Sequence, residues 1–174
     1  MWVISQIYGS IPLIVLLLLY IAKKFGWKFA LGSLIGTGLV IFLADRISVE
    51  LFKEVFQRWR PTHNLDLGPL VHTVTDFSGV EYRGGRHSFV SSHATNFFGM
   101  AMFFWYIIKP DTRKIFIFIF GWASIVCYSR IYLGVHYPID IICGGTLGCL
   151  IGWTVGILFM KFVSHRLLSI KNPL

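Results

Sequence analysis

The sequence predicts an all-α fold, a polytopic membrane bundle of about five transmembrane helices. Three observations carry that prediction. The 174-residue chain is 55% hydrophobic and only 14% charged, where a soluble domain is about 25% charged. Its mean hydropathy is +0.68. Its apolar residues gather into runs near the ~20 residues that a helix needs to cross a bilayer. This hydrophobicity excludes a disordered chain. Three cysteines, and 17 glycines without a repeat, exclude a disulfide scaffold and a collagen-like chain. The formal net charge of +8 fits either nucleic acid or an anionic surface by itself. The positions of the charges distinguish the two.

The first span is predicted over 2–22. No charge precedes Lys23 and Lys24, and the run 11–21 is almost wholly apolar. A cleaved signal would carry basic residues before its apolar run and small residues after it. Neither is present, so this span reads as a retained helix. The second span is predicted over 29–58. Its helical pattern continues through Ser48, Leu51, Phe52 and Phe56 until Pro61 stops it. Asp45, Arg46, Glu50 and Lys53 lie on its lower part, and ionisable groups there mark a functional site by default.

Residues 61–90 contain no span. Pro61, Gly68, Pro69, Gly79, Gly84 and Gly85 break the pattern, while Leu65, Leu67, Leu70, Val71 and Phe77 predict that the loop packs or lies at an interface. Connections of that length are usually functional or disordered. A third span is predicted over 92–108, ending at Lys109-Pro110-Asp111. A fourth follows over 114–134. A fifth covers 137–162, with Pro138 in its first turn, where proline is tolerated. The tail from 163 is short and basic. The chain 1–174 reads as one domain. Cys127, Cys143 and Cys149 fall inside spans and are expected to be apolar filler.

Three polar clusters interrupt this frame, and alternating helices bring all three to one side. The first holds Lys53 and Arg60, seven residues apart and therefore on one helical face. The second is Ser91-Ser92-His93 at the start of a helix. Hydroxyl side chains cap such an end, and its free N–H groups attract anions. The third is Ser129-Arg130, then His136 and Asp140. Asp140 lies one turn beyond His136, so its carboxylate can fix the imidazole tautomer and leave the other nitrogen free to attack. Singly, each cluster also fits a structural role: snorkelling, capping, a His–Asp pair at a helix end. Together they make a phosphate site, because arginine forks match phosphate oxygens. No carboxylate cluster suits magnesium, and no HExxH or CxxC suits zinc. Metal-free chemistry without a cofactor is expected.

The order Lys-x6-Arg-Pro, Ser-x-His, Ser-Arg-x5-His-x3-Asp resembles the type 2 phosphatidic acid phosphatase superfamily, which includes vanadium haloperoxidases. Here the elements read Lys53 to Arg60-Pro61, Ser91-Ser92-His93, and Ser129-Arg130 to His136 to Asp140. The second departs from the usual Pro-Ser-Gly-His, with Val90 and Ser92 at the proline and glycine positions. The resemblance implies that His136 is the nucleophile that forms a phosphohistidine, that Asp140 orients it, and that His93 protonates the leaving group. It also implies that Lys53, Arg60, Ser91, Ser92 and Arg130 cradle the phosphate. The segment 82–93 looks like small bacterial members that act on lipid A 1-phosphate, undecaprenyl diphosphate or phosphatidylglycerophosphate. Arg83 and Arg86 either extend the basic pocket or contact lipid headgroups. His63, His72 and His87 match no position of the motifs.

The expected activity is hydrolysis of a membrane lipid phosphate, with no nucleic acid as partner. A lipid phosphotransferase of the same fold is an alternative. A vanadate-dependent haloperoxidase fits poorly with the spans, and a non-catalytic carrier would not need the two histidines. The charges then separate by side. The face away from the clusters holds nine basic residues (Lys23, Lys24, Lys28, Lys109, Arg113, Lys114, Lys161, Arg166 and Lys171) against Asp111, while the cluster side holds seven of each sign. By the positive-inside rule the basic face is cytoplasmic. The site is then expected on the periplasmic face of a bacterial inner membrane.

Overall fold

In the computed structural model, residues 1–75, 78–109 and 113–171 are described, apart from the side chains of residue 7 and of 164–171. Asp76, Phe77, Pro110, Asp111 and the end of the tail lie outside that description, as do the side chains of Arg166 and Lys171. The described residues form α1 (Trp2–Ser5), α2 (Ile11–Phe25), α3 (Trp27–Arg46), α4 (Glu54–Phe56), α5 (Ser92–Ile108), α6 (Arg113–Tyr132) and α7 (Pro138–Lys171). A π-helical segment, Ile47–Lys53, joins α3 and α4 into one rod.

Among the described residues, three helices are long and apolar enough to cross a membrane: Trp27–Phe56, Arg113–Tyr132 and Pro138–Val163. α2 and α5 are shorter, at 15 and 17 residues. The outward faces of α2, α3 and α7 are apolar: Leu16 is 61% exposed, Ile35 68%, Phe42 57% and Ile142 63%. Side chains of that kind on the outside of a bundle need a lipid solvent.

The bounds differ from the expected spans in four places. The first helix does not run from residue 2. It starts at Ile11 after a 3-10 turn, with Pro12 in its first turn, where a missing N–H costs nothing. The second ends at Phe56, because Gln57 is left-handed at φ 46°. α6 stops at Tyr132, ahead of Gly134 at φ +65°. The segment read as a tail continues α7 to Lys171.

α5 is the centre of the bundle and packs against α3, α6 and α7. Phe103, Phe104, Ile107 and Ile108 on α5 are buried with Val40, Ala123 and Val155. α7 meets α5 along four glycines, Gly144, Gly148, Gly152 and Gly156. A Cβ on Gly148 would come within 2.2 Å of the Thr95 carbonyl, and one on Gly152 within 2.1 Å of the Gly99 carbonyl. Backbones that touch this closely are how membrane helices associate without a hydrophobic driving force. The glycine spacing sets the height of α7 against α5, and so the height of the site residues at their ends.

The loop 61–90 is folded where it is described. It has 3-10 turns at Pro61–His63 and Gly68–Leu70, and strands β1 (Val74–Thr75) and β2 (Glu81–Tyr82) pair antiparallel with Val74 opposite Tyr82. The ring of Trp2 packs edge-on against Tyr82. The opposite end of the bundle is closed by Phe29 against Phe159 and Trp105 against Phe116.

Candidate active site

The start of α5 anchors the site. Ser91 is its N-cap, and the Ser91 hydroxyl accepts from the Ala94 N–H at 3.4 Å. The Ser91 N–H donates to the Asp140 carbonyl at 3.1 Å, which ties the start of α5 to the first turn of α7. The N–H groups of Ser92 and His93 stand in the first turn of α5, where no helical carbonyl precedes them. His93 lies within electrostatic range of Arg130, His136, Arg60 and Lys53. All three sequence clusters therefore converge.

Lys53 reaches this helix start from the π-helical segment. Its Nζ donates to Ser92 Oγ at 2.8 Å, and Ser48 Oγ lies 2.9 Å from the same hydroxyl. Ser48 and Lys53 are five apart, one turn of a π-helix, so the π segment places both on the α5 side. Lys53 and Arg60 do not share a helical face, because the helix stops between them. Arg60 is 8% exposed and extended, and its Nε donates to the His87 carbonyl at 3.1 Å. Gly84, at φ +66°, leaves room for the guanidinium: a Cβ there would sit 2.1 Å from Arg60 Nη1. Burial, then Arg130, lower the Arg60 pKa to about 10, opposed by Tyr82 and Asp140. It stays charged at neutral pH.

Arg130, at the end of α6, is 1% exposed. Its Nη2 donates to the Tyr82 hydroxyl at 2.8 Å, and its Nε has no hydrogen-bond partner among the described residues. Buried, unpaired guanidinium nitrogens are costly, and an anion in the site would satisfy this one. His136 is 2% exposed and Asp140 0%. His136 Nδ1 lies 3.4 Å from Asp140 Oδ2, long for a hydrogen bond, and has no other hydrogen-bond partner among the described residues. Such contacts commonly tighten only when substrate binds. Burial is the main force lowering the His136 pKa, to about 4, with Asp140 pulling upward and Arg60 and Arg130 downward. The ring is therefore neutral at physiological pH.

Three contributors were not identified from sequence. Ser48 and Tyr82 are described above. Arg58 Nη1 donates to Asp140 Oδ1 at 3.2 Å and lies over the Tyr137 ring at 4.0 Å. The remaining basic residues sit further out. Arg83 pairs with Glu81 at 2.7 Å, and Arg86 lies 4.9 Å over the Trp59 ring while its carbonyl accepts from the Arg60 N–H. His63 is held below its ordinary pKa by desolvation and by Arg60, Arg83 and Arg86. His72 lines a groove of about 400 Å³ that reaches His136, and the His87 carbonyl serves Arg60. The three cysteines are free thiols. Among the described residues, no three His, Cys, Asp or Glu side chains converge to hold a metal.

The chain is 34% identical over 157 residues to a lipid A 4'-phosphatase of Bacteroides thetaiotaomicron, covering 90% of this chain and 65% of that protein. It is 37% identical over 115 residues to a lipid A 4'-phosphatase of Porphyromonas gingivalis, covering 66% and 45%. It thus spans less than two thirds of the length of either relative. A crystal structure of a transmembrane PAP2-type phosphatidylglycerolphosphate phosphatase from Bacillus subtilis superposes with a TM-score of 0.60 at 25% identity, covering 90% of this chain and 72% of that one. The PAP2 superfamily model matches residues 26–166, and the chain belongs to that superfamily.

Proposed function

We propose that this protein is an integral membrane lipid phosphatase that hydrolyses a phosphomonoester of a lipid A-type glycolipid through a phosphohistidine on His136. The observation that carries the reading is the convergence of His136–Asp140, His93 and the cations Lys53, Arg60 and Arg130 on the start of α5. The two lipid A 4'-phosphatases among the relatives support the choice of lipid over undecaprenyl diphosphate and phosphatidylglycerophosphate.

The phosphate sits among Lys53, Arg60, Arg130 and the first-turn N–H groups of α5. His136 Nε2, the nitrogen turned away from Asp140, attacks phosphorus. The P–O bond to the lipid breaks, and the leaving oxygen takes a proton from His93. Water then attacks the phosphohistidine, giving its proton to His93, and the N–P bond breaks to release inorganic phosphate. Little of the acceleration comes from covalent chemistry by the cations. They stabilise charge on the phosphoryl oxygens, the main catalytic demand of such transfers. The separation of charge between the two faces supports an extracytoplasmic site in a bacterial inner membrane.

The test uses the purified protein in detergent, with lipid A, undecaprenyl diphosphate and phosphatidylglycerophosphate as substrates. Phosphate release is expected to be fastest from lipid A, with mass spectrometry of the product identifying the phosphate removed. His136→Ala is expected to lower the rate by at least about 10³-fold. Undiminished turnover by that variant overturns the mechanism, and no release from any of the three lipids overturns the function.

A further inference from the structure

Asp140 serves more groups than a simple His–Asp pair requires. It occupies the first turn of α7, and its Oδ2 accepts from the Tyr137 N–H at 2.9 Å. That contact is half of a capping box, with the third helical residue reaching back to the cap. The same oxygen faces His136 Nδ1 at 3.4 Å. The other oxygen, Oδ1, receives Arg58 Nη1 at 3.2 Å, and Arg58 comes from a different part of the chain, 82 residues away. A carboxylate with no exposed surface needs both oxygens satisfied. If Oδ1 lost its donor, the Tyr137 N–H alone would hold the carboxylate, and the direction of Oδ2 toward the imidazole would be set less firmly.

The geometry points to Arg58 as a positioning residue for phosphoryl transfer, one that acts through Asp140 rather than on the phosphate. This rests on the phosphatase reading above. Arg58 is itself held in place: its guanidinium stacks on the Tyr137 ring at 4.0 Å, and its side chain is 41% exposed. It also lines a cleft of about 670 Å³ with Trp59, His63, Asn64 and Tyr137. The charged and titratable groups around His136 are Arg60, Arg130, His93 and Asp140. Arg58 offsets part of the Asp140 charge. That limits how strongly the carboxylate draws a proton onto His136, so the ring stays a nucleophile.

The experiment compares Arg58→Ala, Arg58→Lys, Asp140→Asn and the Arg58→Ala/Asp140→Asn double variant with wild type, on the lipid that wild type hydrolyses. Arg58→Ala is expected to lower kcat about 10- to 100-fold, as loss of an orienting partner commonly does. KM should stay within about threefold. The acid limb of its kcat/KM profile should move to higher pH, because the carboxylate then favours the imidazolium. Arg58→Lys should recover part of the rate, since it keeps the charge without the planar fork. With Asp140 already Asn, losing Arg58 should cost less than about threefold more, the mark of two groups acting as one. Should Arg58→Ala fail to fold, Arg58→Gln carries the same comparison. Full kcat without the arginine, a change confined to KM, or losses that multiply in the double variant would each overturn the assignment while leaving the phosphatase reading intact. An inactive wild type overturns both.

Discussion

The Ser92 hydroxyl accepts from Lys53 and lies within bonding distance of Ser48, so two side chains of the long rod meet at the start of α5. A glycine here, as the family pattern has, would supply the N–H without this anchor. Ser92→Gly is therefore expected to free Lys53 and lower kcat/KM by roughly tenfold, the worth of a hydrogen bond to a charged group. A variant as active as wild type would show that Lys53 finds its place unaided. His136 gives a second prediction at this scale. Its folded pKa is near 4, below the ordinary 6.5. A group so depressed adds stability that is present above pH 6.5 and lost as pH falls toward 4. The imidazole resonance assigned with His136→Gln should titrate well below pH 6, and titration at 6.5 or above would contradict the burial described. Every motif residue was legible because its type and spacing recur within one segment. Arg58 and Tyr82 were not, since their partners lie 82 and 48 residues away and no local pattern announces them.

Two elements decide how the motif residues meet. One is the π-helical segment Ile47–Lys53, which widens the turn and brings Ser48 and Lys53 to one face. Apolar periodicity predicted a helix here and gave no sign of the change in pitch, because Leu51, Phe52 and Phe56 continue an ordinary helical pattern through it. The other is the row of four glycines on α7. Its spacing is plain in the sequence, yet its meaning depends on which helix lies opposite, and that is a tertiary fact. Gly148→Val would put a side chain where the Thr95 carbonyl already sits, 2.2 Å from the added Cβ. Overpacking of this kind costs about 1–3 kcal/mol. Thermal unfolding in detergent should show the loss, and activity should fall with it, because the bond from the Ser91 N–H to the Asp140 carbonyl depends on that contact. An unchanged melting temperature would mean that α5 and α7 do not touch there.

For the whole molecule, the five-helix frame was legible in composition and apolar runs. Its irregular entrance at Ile11 and the fold of the loop 61–90 were not, since both depend on turns and on long-range partners such as Trp2 with Tyr82. The distribution of charge predicts the orientation. Leu65, 90% exposed at the site end, should as Leu65→Cys react with an impermeant maleimide on intact cells. Lys24→Cys should react only after permeabilisation. Both belong in a background without the three native cysteines. The reverse pattern would place the site in the cytoplasm.

The rod that starts at Trp27 has one more consequence. At 1.5 Å per residue, Ser48 lies about 30 Å along it, close to the ~30 Å thickness of the hydrocarbon layer. The proposed phosphate cradle thus sits level with the lipid headgroups. A lipid can present its phosphate there while its acyl chains stay in the bilayer, so encounter is by lateral diffusion in two dimensions. Turnover should then follow the mole fraction of substrate in the membrane or micelle rather than its bulk concentration. Adding inert detergent at constant total substrate should slow the reaction in proportion.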